Sequence, residues 1–207
     1  MLRNNTIKIG GLLYVVAVFQ FFVFELVAET LYPGYSVASN YVSDLGATCV
    51  NPPSNLSCVV HQPTAAIFDA TVSLMGLLLL AGACFVYHGT RKKPYLITSA
   101  VADLAILLIG VFPENTGSAH AVVSEVSFVF TGISLVLAWT IVKGRIISYL
   151  MVAFGAMTLF FTLTDVPARD VGVGGQERLL VLSALVGLLT LGGYLTGRDS
   201  PNGASSS

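Results

Sequence analysis

The sequence predicts an all-α polytopic membrane protein: a bundle of six transmembrane helices with both termini in the cytoplasm and a long outer loop between helices 1 and 2. The first observation is composition, because 55% of the 207 residues are hydrophobic and only 10% are charged. Soluble domains carry about 25% charged residues, so this chain could not cover a water-exposed surface. The second observation is six apolar runs long enough to cross about 30 Å of hydrocarbon as helices.

The runs define the predicted elements in order. They lie at about 8–30, 64–88, 95–112, 119–142, 146–163 and 177–196. Each is continuous rather than alternating, which favours helices that satisfy their own backbone hydrogen bonds over the strands of a barrel. The first run lacks a small-residue cleavage site, so we expect it to remain as a helix. We expect one six-helix domain over 1–196 and a disordered cytoplasmic tail over 197–207.

The basic residues predict the orientation. Eight of the ten fall in the connectors of one side and two in those of the other. The larger set is Arg3, Lys8, Arg91, Lys92, Lys93, Lys143, Arg145 and Arg198, and the smaller set is Arg169 and Arg178. Lysine and arginine are enriched in cytoplasmic connectors, so both termini are predicted to be cytoplasmic in an integral cell-membrane protein.

The outer loop between the first two helices contains SNYVSDLGATCVNPPSNLSC, residues 39–58. Cys49 and Cys58 flank a Pro-Pro pair within it. A loop on the outer side lies in an oxidising compartment, so a disulfide between these two cysteines is predicted, with two free thiols as the alternative.

The acidic residues indicate a polar pocket that opens outward. Nine of the eleven fall in the outer half or the outer loops, and ionisable groups at membrane depth usually face a bundle interior or a wet cavity. On the fourth helix, the spacing of His120, Ser124, Ser127, Thr131 and Ser134 places them on one face. The predicted pocket-lining residues are Glu25, Ser43, Glu114, Ser124, Ser127 and Asp165.

Three readings compete for these polar residues. Serine and threonine also serve as packing residues between membrane helices, and an acid such as Asp69 could sit just beyond the headgroups. His61 and His120 are candidate ligands of a divalent metal, although no HxxxH or HExxH spacing occurs. A Ser/His/Asp nucleophile could form without a GxSxG elbow, from the serines at 43 or 124, His120, and Asp44 or Asp69. The candidates for catalysis are Asp44, Asp69, His120 and Glu125.

Three short motifs carry a resemblance to a known family. They are NYVSDLGA followed by Pro-Pro in the first outer loop, GVFPEN at 110–115 followed by His120, and GQERL at 175–179 before the last helix. Together they resemble the prokaryotic family called domain of unknown function 998, related to the Frag/DRAM/Sfk-like six-helix membrane proteins. The matching residues are Ser43, Asp44, Gly46, Glu114 and His120.

The resemblance implies lipid handling, because relatives of this family include autophagy modulators and a factor in remodelling of GPI-anchor lipids. A more distant likeness to intramembrane lipid hydrolases implies a lipid hydrolase or transferase if the chain is an enzyme. The chain departs from those hydrolases in lacking a closely spaced histidine pair in its last helix, and from the simplest family pattern in its two loop cysteines.

We therefore expect a protein that binds or processes lipid headgroups. Its pocket would lie under the loop at Ser43, Asp44 and Gly46, with Asp44 facing His120 across the mouth. One alternative is a non-catalytic accessory subunit of a larger membrane assembly, and another is a small-solute or proton carrier, for which Asp103 and Ser99 are the support. Expected partners are membrane lipids, with protein partners or a second copy as further options. No nucleic-acid signature is present.

Overall fold

Six long helices build the part of the protein that the structure describes. The computed structural model describes residues 2–50, 57–164 and 168–198. The helices are α1 (Leu2–Leu31), α2 (Thr64–Thr90), α3 (Lys93–Val111), α4 (Ser118–Leu137), α5 (Arg145–Leu163) and α6 (Ala168–Thr196). Each provides a segment long and apolar enough to cross a membrane, so the predicted all-α, six-helix membrane architecture is confirmed. The predicted tail falls mostly on residues 199–207, which lie outside the described residues.

The helix ends follow local chemistry. Pro94 stands in the first turn of α3, where its missing N–H is not needed. Arg91 ends α2 with a φ of +60°, and its N–H closes the last turn on Tyr87 O at 2.7 Å. The sixth helix begins at Ala168, earlier than the predicted 177, and contains a non-helical residue, Gly172, with a φ of +78°. Glycine adopts this conformation readily, which lets the helix begin beside the first loop.

The helices form a closed ring in which α1 packs on α2, each helix on the next, and α6 again on α1. Glycines bring neighbours close together. A Cβ on Gly110 of α3 would lie 2.1 Å from Asp69 O of α2, and one on Gly155 of α5 would lie 2.6 Å from Gly132 O of α4. Small residues of this kind permit the close backbone contact that holds helices together in lipid.

Adjacent helices run antiparallel, which sorts the connectors to two ends. The first we call the basic end: it holds the start of α1, the α2–α3 and α4–α5 connectors and the end of α6, and therefore the larger basic set. The second we call the loop end, and it carries the described residues 32–50, 57–63 and 112–117 and Thr164. The cytoplasmic orientation of the basic end stays a prediction.

A disulfide closes a small hairpin at the loop end. Strands β1 (Thr48–Val50) and β2 (Ser57–Val59) pair antiparallel with Cys49 opposite Cys58, and the two cysteines are bonded. The predicted disulfide is therefore confirmed. The two strands were not predicted, since each has only three residues.

Candidate functional site

The last helix holds the first loop in place through Glu177. Its carboxylate accepts hydrogen bonds from the backbone N–H groups of Val42 and Ser43, at the start of the 3₁₀ helix Ser43–Leu45. The first N–H groups of a helix have no partner within it, and Glu177 binds the N–H groups of the N-cap residue and of the first helical residue here. Instead of standing at the start of its own helix, as its sequence position suggested, Glu177 therefore caps a helix in the first loop.

Arg178 binds the carbonyl side of the same loop. Its guanidinium donates to Val37 O at 3.1 Å and to Asn40 O at 3.0 Å, and it also donates to the Tyr35 hydroxyl. An ion pair of 2.6 Å joins it to Glu29 of α1, and both side chains of this pair are largely buried. A rigid fork of five donors suits such simultaneous contacts.

Gln176 completes the attachment by reaching α5. Its Nε2 donates to Thr164 O at 2.7 Å and contacts Phe161 O at 3.4 Å. Three consecutive residues of α6 thus bind three different groups: Gln176 binds the end of α5, Glu177 the loop N–H groups and Arg178 the loop carbonyls. Sequence reasoning did not assign roles to Gln176 and Arg178, although the GQERL motif that contains them was the available signal.

An acidic pair lies beside this attachment. Asp44 is buried, and its Oδ2 accepts from Asn40 Nδ2 at 2.9 Å and from Tyr41 N at 3.0 Å. The carboxyl of Glu114 lies within hydrogen-bonding reach of Asp44. Glu114 Oε2 is buried without a donor, so a hydrogen bond between the two carboxyls requires a proton on one of them. Burial, then the charges of Asp44 and Glu177, raises the pKa of Glu114 to about 8.

A central cavity of about 60 Å³ lies beneath Val42 and Ser43. Val42 and Ser43 are the two residues of the first loop that line it. Most of the lining is apolar, and the polar stripe of α4 contributes Ser124, Ser127 and Thr131. Ser127 donates to Ser124 O at 2.7 Å, so part of the stripe is satisfied within its own helix.

His120 and Ser124 are brought together on successive turns of α4. Ser124 Oγ lies 3.3 Å from His120 Nε2, and His120 Nδ1 lies 2.8 Å from Phe112 O. Because a carbonyl oxygen only accepts, Nδ1 carries the proton and Nε2 is the acceptor. Asp44 binds Asn40 and Tyr41, and it makes no hydrogen bond to His120 among those of the described residues. In the Ser/His/Asp arrangement, the acid would bind His120 Nδ1, and here the backbone carbonyl of Phe112 occupies that place.

A second, larger cavity opens on the side of the bundle, and we call it the lateral cleft. It encloses about 410 Å³ between α4, α5 and α6, near the loop end. The lining residues are Tyr41, Glu125, Phe128, Phe161, Thr162, Val173, Gln176, Glu177 and Leu180. Phe128 and Glu177 also line the central cavity, so they form the wall between the two. Glu125 is an exposed residue at this cleft rather than a buried acid.

The remaining predicted site residues lie apart from the lateral cleft. Glu25 is buried and lines a cleft of about 220 Å³ between α1 and α6, together with Glu29 and Arg178. Asp69 is half-buried, and its Oδ1 lies 2.7 Å from where a Cβ on Gly46 would stand. The imidazole of His61 packs edge-on against the ring of Tyr32, with centroids 4.6 Å apart.

Two further expectations concern Asp165 and a metal. Asp165 lies outside the described residues. Within residues 2–50, 57–164 and 168–198, no group of three or more His, Cys, Asp or Glu side chains is placed to hold a metal ion. His61 and His120, the candidate ligands, have the ring contact and the hydrogen bonds given above.

Comparison with known proteins gives one match. The model of a family described as "Protein of unknown function (DUF998)" matches residues 15–194. This range takes in all three motifs on which the resemblance rested. No curated protein and no solved structure matches the chain.

Proposed function

The chain belongs to the DUF998 family of integral membrane proteins, and we propose that it binds a lipid headgroup in the lateral cleft. The observation that carries the proposal is the mixed lining of that cleft. Carboxylate, amide and hydroxyl groups of Glu125, Gln176 and Thr162 share it with the rings of Phe128 and Phe161. A volume of about 410 Å³ is typical of sites for small amphiphilic molecules.

The position of the cleft suits a ligand that arrives from the bilayer. It lies on the side of the helix ring, where Leu163 and Val173 expose apolar surface. An acyl chain would lie against Phe128, Phe161 and Leu180, while the headgroup would lie nearer the loop end. Burial of an acyl chain against these rings stabilises the complex by about 25 cal/mol for each Å² of apolar surface that is removed from water.

The charge of the lining favours a headgroup that carries an amine. Glu125 and Glu177 are acidic, and no basic side chain stands among the described residues that line the cleft. A primary ammonium would form charge-assisted hydrogen bonds with the Glu125 carboxylate, whereas an anionic headgroup without an amine would be repelled. The amide oxygen of Gln176 has no donor among the described residues and can accept from a ligand, because its Nε2 is the atom bound to α5.

Lipid retention on the purified protein tests this proposal. The protein would be stripped of lipid in detergent, offered phosphatidylethanolamine or phosphatidylglycerol, and weighed intact by native mass spectrometry. We expect preferential phosphatidylethanolamine adducts, reduced at least about tenfold in Glu125→Gln, because one charge-assisted hydrogen bond is worth roughly 1.5–3 kcal/mol. Asp170→Asn is the matched control, since Asp170 is an exposed acid of α6 away from the cleft.

Equal binding of both lipids, or an unchanged Glu125→Gln adduct, would contradict the proposal. If no lipid is retained and other chains co-purify, the result would support the accessory-subunit alternative instead.

The pairing of Ser124 with His120 favours a second candidate, hydrolysis of a lipid ester. Ser124 Oγ would attack the ester carbonyl while His120 Nε2 takes its proton, and the proton would then pass to the departing alcohol. Water would release the acyl group from Ser124. A fluorophosphonate probe that labels the wild type but not Ser124→Ala would support hydrolysis, and Ser127→Ala is the control serine from the same cavity. Absence of Ser124-dependent labelling would leave lipid binding alone.

A further inference from the structure

A buried polar row runs along the side of α3 that faces α1, away from both clefts. Tyr95, Ser99 and Asp103 follow one another at intervals of four residues, which places them on one helix face. All three are buried, with exposed fractions of 1%, 2% and 4%. Tyr14 of α1 meets the row, and its hydroxyl lies 2.7 Å from the hydroxyl of Tyr95.

The row contains two polar atoms without normal hydrogen bonds. Asp103 Oδ2 is fully buried and has no hydrogen-bond partner in the part of the chain that the structure describes. Ser99 Oγ makes no hydrogen bond of normal geometry, and it lies within hydrogen-bonding reach of the hydroxyls of Tyr14 and Tyr95. Buried polar groups are usually satisfied, so an unpaired carboxyl oxygen at this depth indicates that Asp103 binds a proton or a cation.

The surroundings of Asp103 offer it no opposite charge. The titratable groups that face it in the described chain are Tyr14 from α1 and Tyr95 from α3, and none from α2 or α4 acts on it. Asp103 stands ten residues into the 19-residue α3, or about 15 Å along its axis. An unpaired carboxylate at that depth costs several kcal/mol, whereas a neutral acid costs much less.

A metal cation suits this place less well than a proton. Membrane sites for Na⁺ usually borrow backbone carbonyls from interrupted helices. Both α1 and α3 are unbroken over Leu2–Leu31 and Lys93–Val111, so their carbonyls at this level are used within the helices. The oxygens that remain are one carboxyl and three hydroxyls, and hydroxyls both donate and accept protons.

We propose that Asp103 is a proton-binding site at the middle of the bundle, and that Ser99 and the Tyr14–Tyr95 pair relay its proton to and from the basic end. Tyr95 lies in the first turn of α3, two residues after Lys93, so the row reaches from mid-bundle to that end. Ser99, one turn above Tyr95 and one below Asp103, is the connecting hydroxyl. The proposal is independent of the lateral cleft.

Infrared spectroscopy of the purified protein tests both parts. A protonated carboxylic acid gives a C=O stretching band that a carboxylate lacks. We expect a component of this band at neutral pH, separate from that of the protonated Glu114–Asp44 pair, that Asp103→Asn removes and Asp170→Asn keeps, and a shift of that component when the wild type is moved into D₂O. Tyr95→Phe should slow that shift several-fold and leave the band in place.

Stability measurements keep the result interpretable. Asparagine has the shape of the protonated acid, so the melting temperature of Asp103→Asn should stay within about 2 °C of wild type. An identical carboxylic-acid band in wild type and Asp103→Asn would overturn the proposal, because Asp103 would then be ionised. A band that never shifts in D₂O, or that shifts equally fast in Tyr95→Phe, would overturn the relay.

Discussion

Glu177 of α6 accepts a hydrogen bond from the backbone N–H of Val42, a residue 135 positions away in sequence. This contact means that the last helix sets the conformation of the first loop. Val42 and Ser43 cover the central cavity, and Glu177 separates that cavity from the lateral cleft. The two motifs that lie farthest apart in the sequence therefore form one structural unit at the loop end.

Loss of the Arg178 side chain should release the loop. Arg178→Ala leaves Glu29 without its ion-pair partner and frees the carbonyls of Val37 and Asn40. We expect the free energy of unfolding to fall by about 2–3 kcal/mol, because removing one partner of a buried ion pair leaves the other charge unpaired. The melting temperature should therefore fall by about 4–12 °C. Thermal unfolding in detergent would measure it. Arg169→Ala, which changes an exposed arginine of the same helix, should have no comparable effect.

Stability should fall as pH rises, because of Glu114. Its pKa is raised from 4.5 to about 8 in the folded protein, so between these values the folded state binds the proton more tightly than the unfolded chain. The stabilisation is fully present below about pH 4.5 and is lost as pH rises through about 8. Melting temperatures between pH 5 and 9 would show the decline.

Glu114→Gln is the variant that tests the origin of this pH dependence. Glutamine keeps a donor toward Asp44 at every pH, so the part of the slope that Glu114 contributes should disappear. Asp170→Asn, an exposed acid, should keep the wild-type slope. A wild-type protein that becomes more stable from pH 5 to pH 9 would contradict this explanation.

The disulfide should stabilise the loop end and report its compartment. Cys49 and Cys58 are nine residues apart, and replacing both with serine should cost about 2–3 kcal/mol by the loop-closure relation.

The same cysteines test the predicted orientation of the loop end. In intact cells, a maleimide that cannot cross the membrane should label them only after a reductant has been added outside the cell. Labelling from the cytoplasmic side alone would reverse the predicted orientation. Cys84, a free cysteine on α2, serves as the internal reference.

Close packing between α2 and α3 should make Gly110 intolerant of a side chain. A Cβ there would stand 2.1 Å from Asp69 O, so Gly110→Ala must push the two helices apart. Overpacking of this kind costs about 1–3 kcal/mol. Gly193→Ala is the matched control because, apart from its chain neighbours and the backbone of its own helix, no heavy atom of the described residues lies within 4 Å of its added Cβ. Comparable melting temperatures for the two variants would show that α2 and α3 are not so closely packed.

The helices and the disulfide were predictable because their signals are local. An apolar run of about 20 residues spans hydrocarbon whatever its neighbours are. Two cysteines in one short loop need only a turn to meet. The α6 start was placed too late because Gly172, Gly174 and Gly175 resemble a linker in composition, whereas in the structure they let the helix begin against Ala38 and Asn40 of the first loop.

The arrangement of the candidate site was less predictable, since it depends on contacts between distant segments. Glu125 was a candidate for catalysis from the sequence, and the structure shows it as an exposed residue that lines the lateral cleft. Glu177 could not be assigned to Val42 without the fold. Asp103 and Ser99 stood out as polar residues at membrane depth, whereas Tyr14 gave no signal, because a tyrosine in an apolar run is unremarkable until its partner is known.

Photocrosslinking tests the proposed lipid site most directly. A phosphatidylethanolamine with a photoreactive group in its acyl chain would be bound to the protein, irradiated, and mapped by peptide mass spectrometry. Binding in the lateral cleft predicts crosslinks on Phe128, Phe161 and Leu180 that decrease in Glu125→Gln. Crosslinks spread over exposed residues of α5 such as Ile146 and Tyr149, and insensitive to Glu125→Gln, would contradict it and indicate ordinary contact with surrounding lipid.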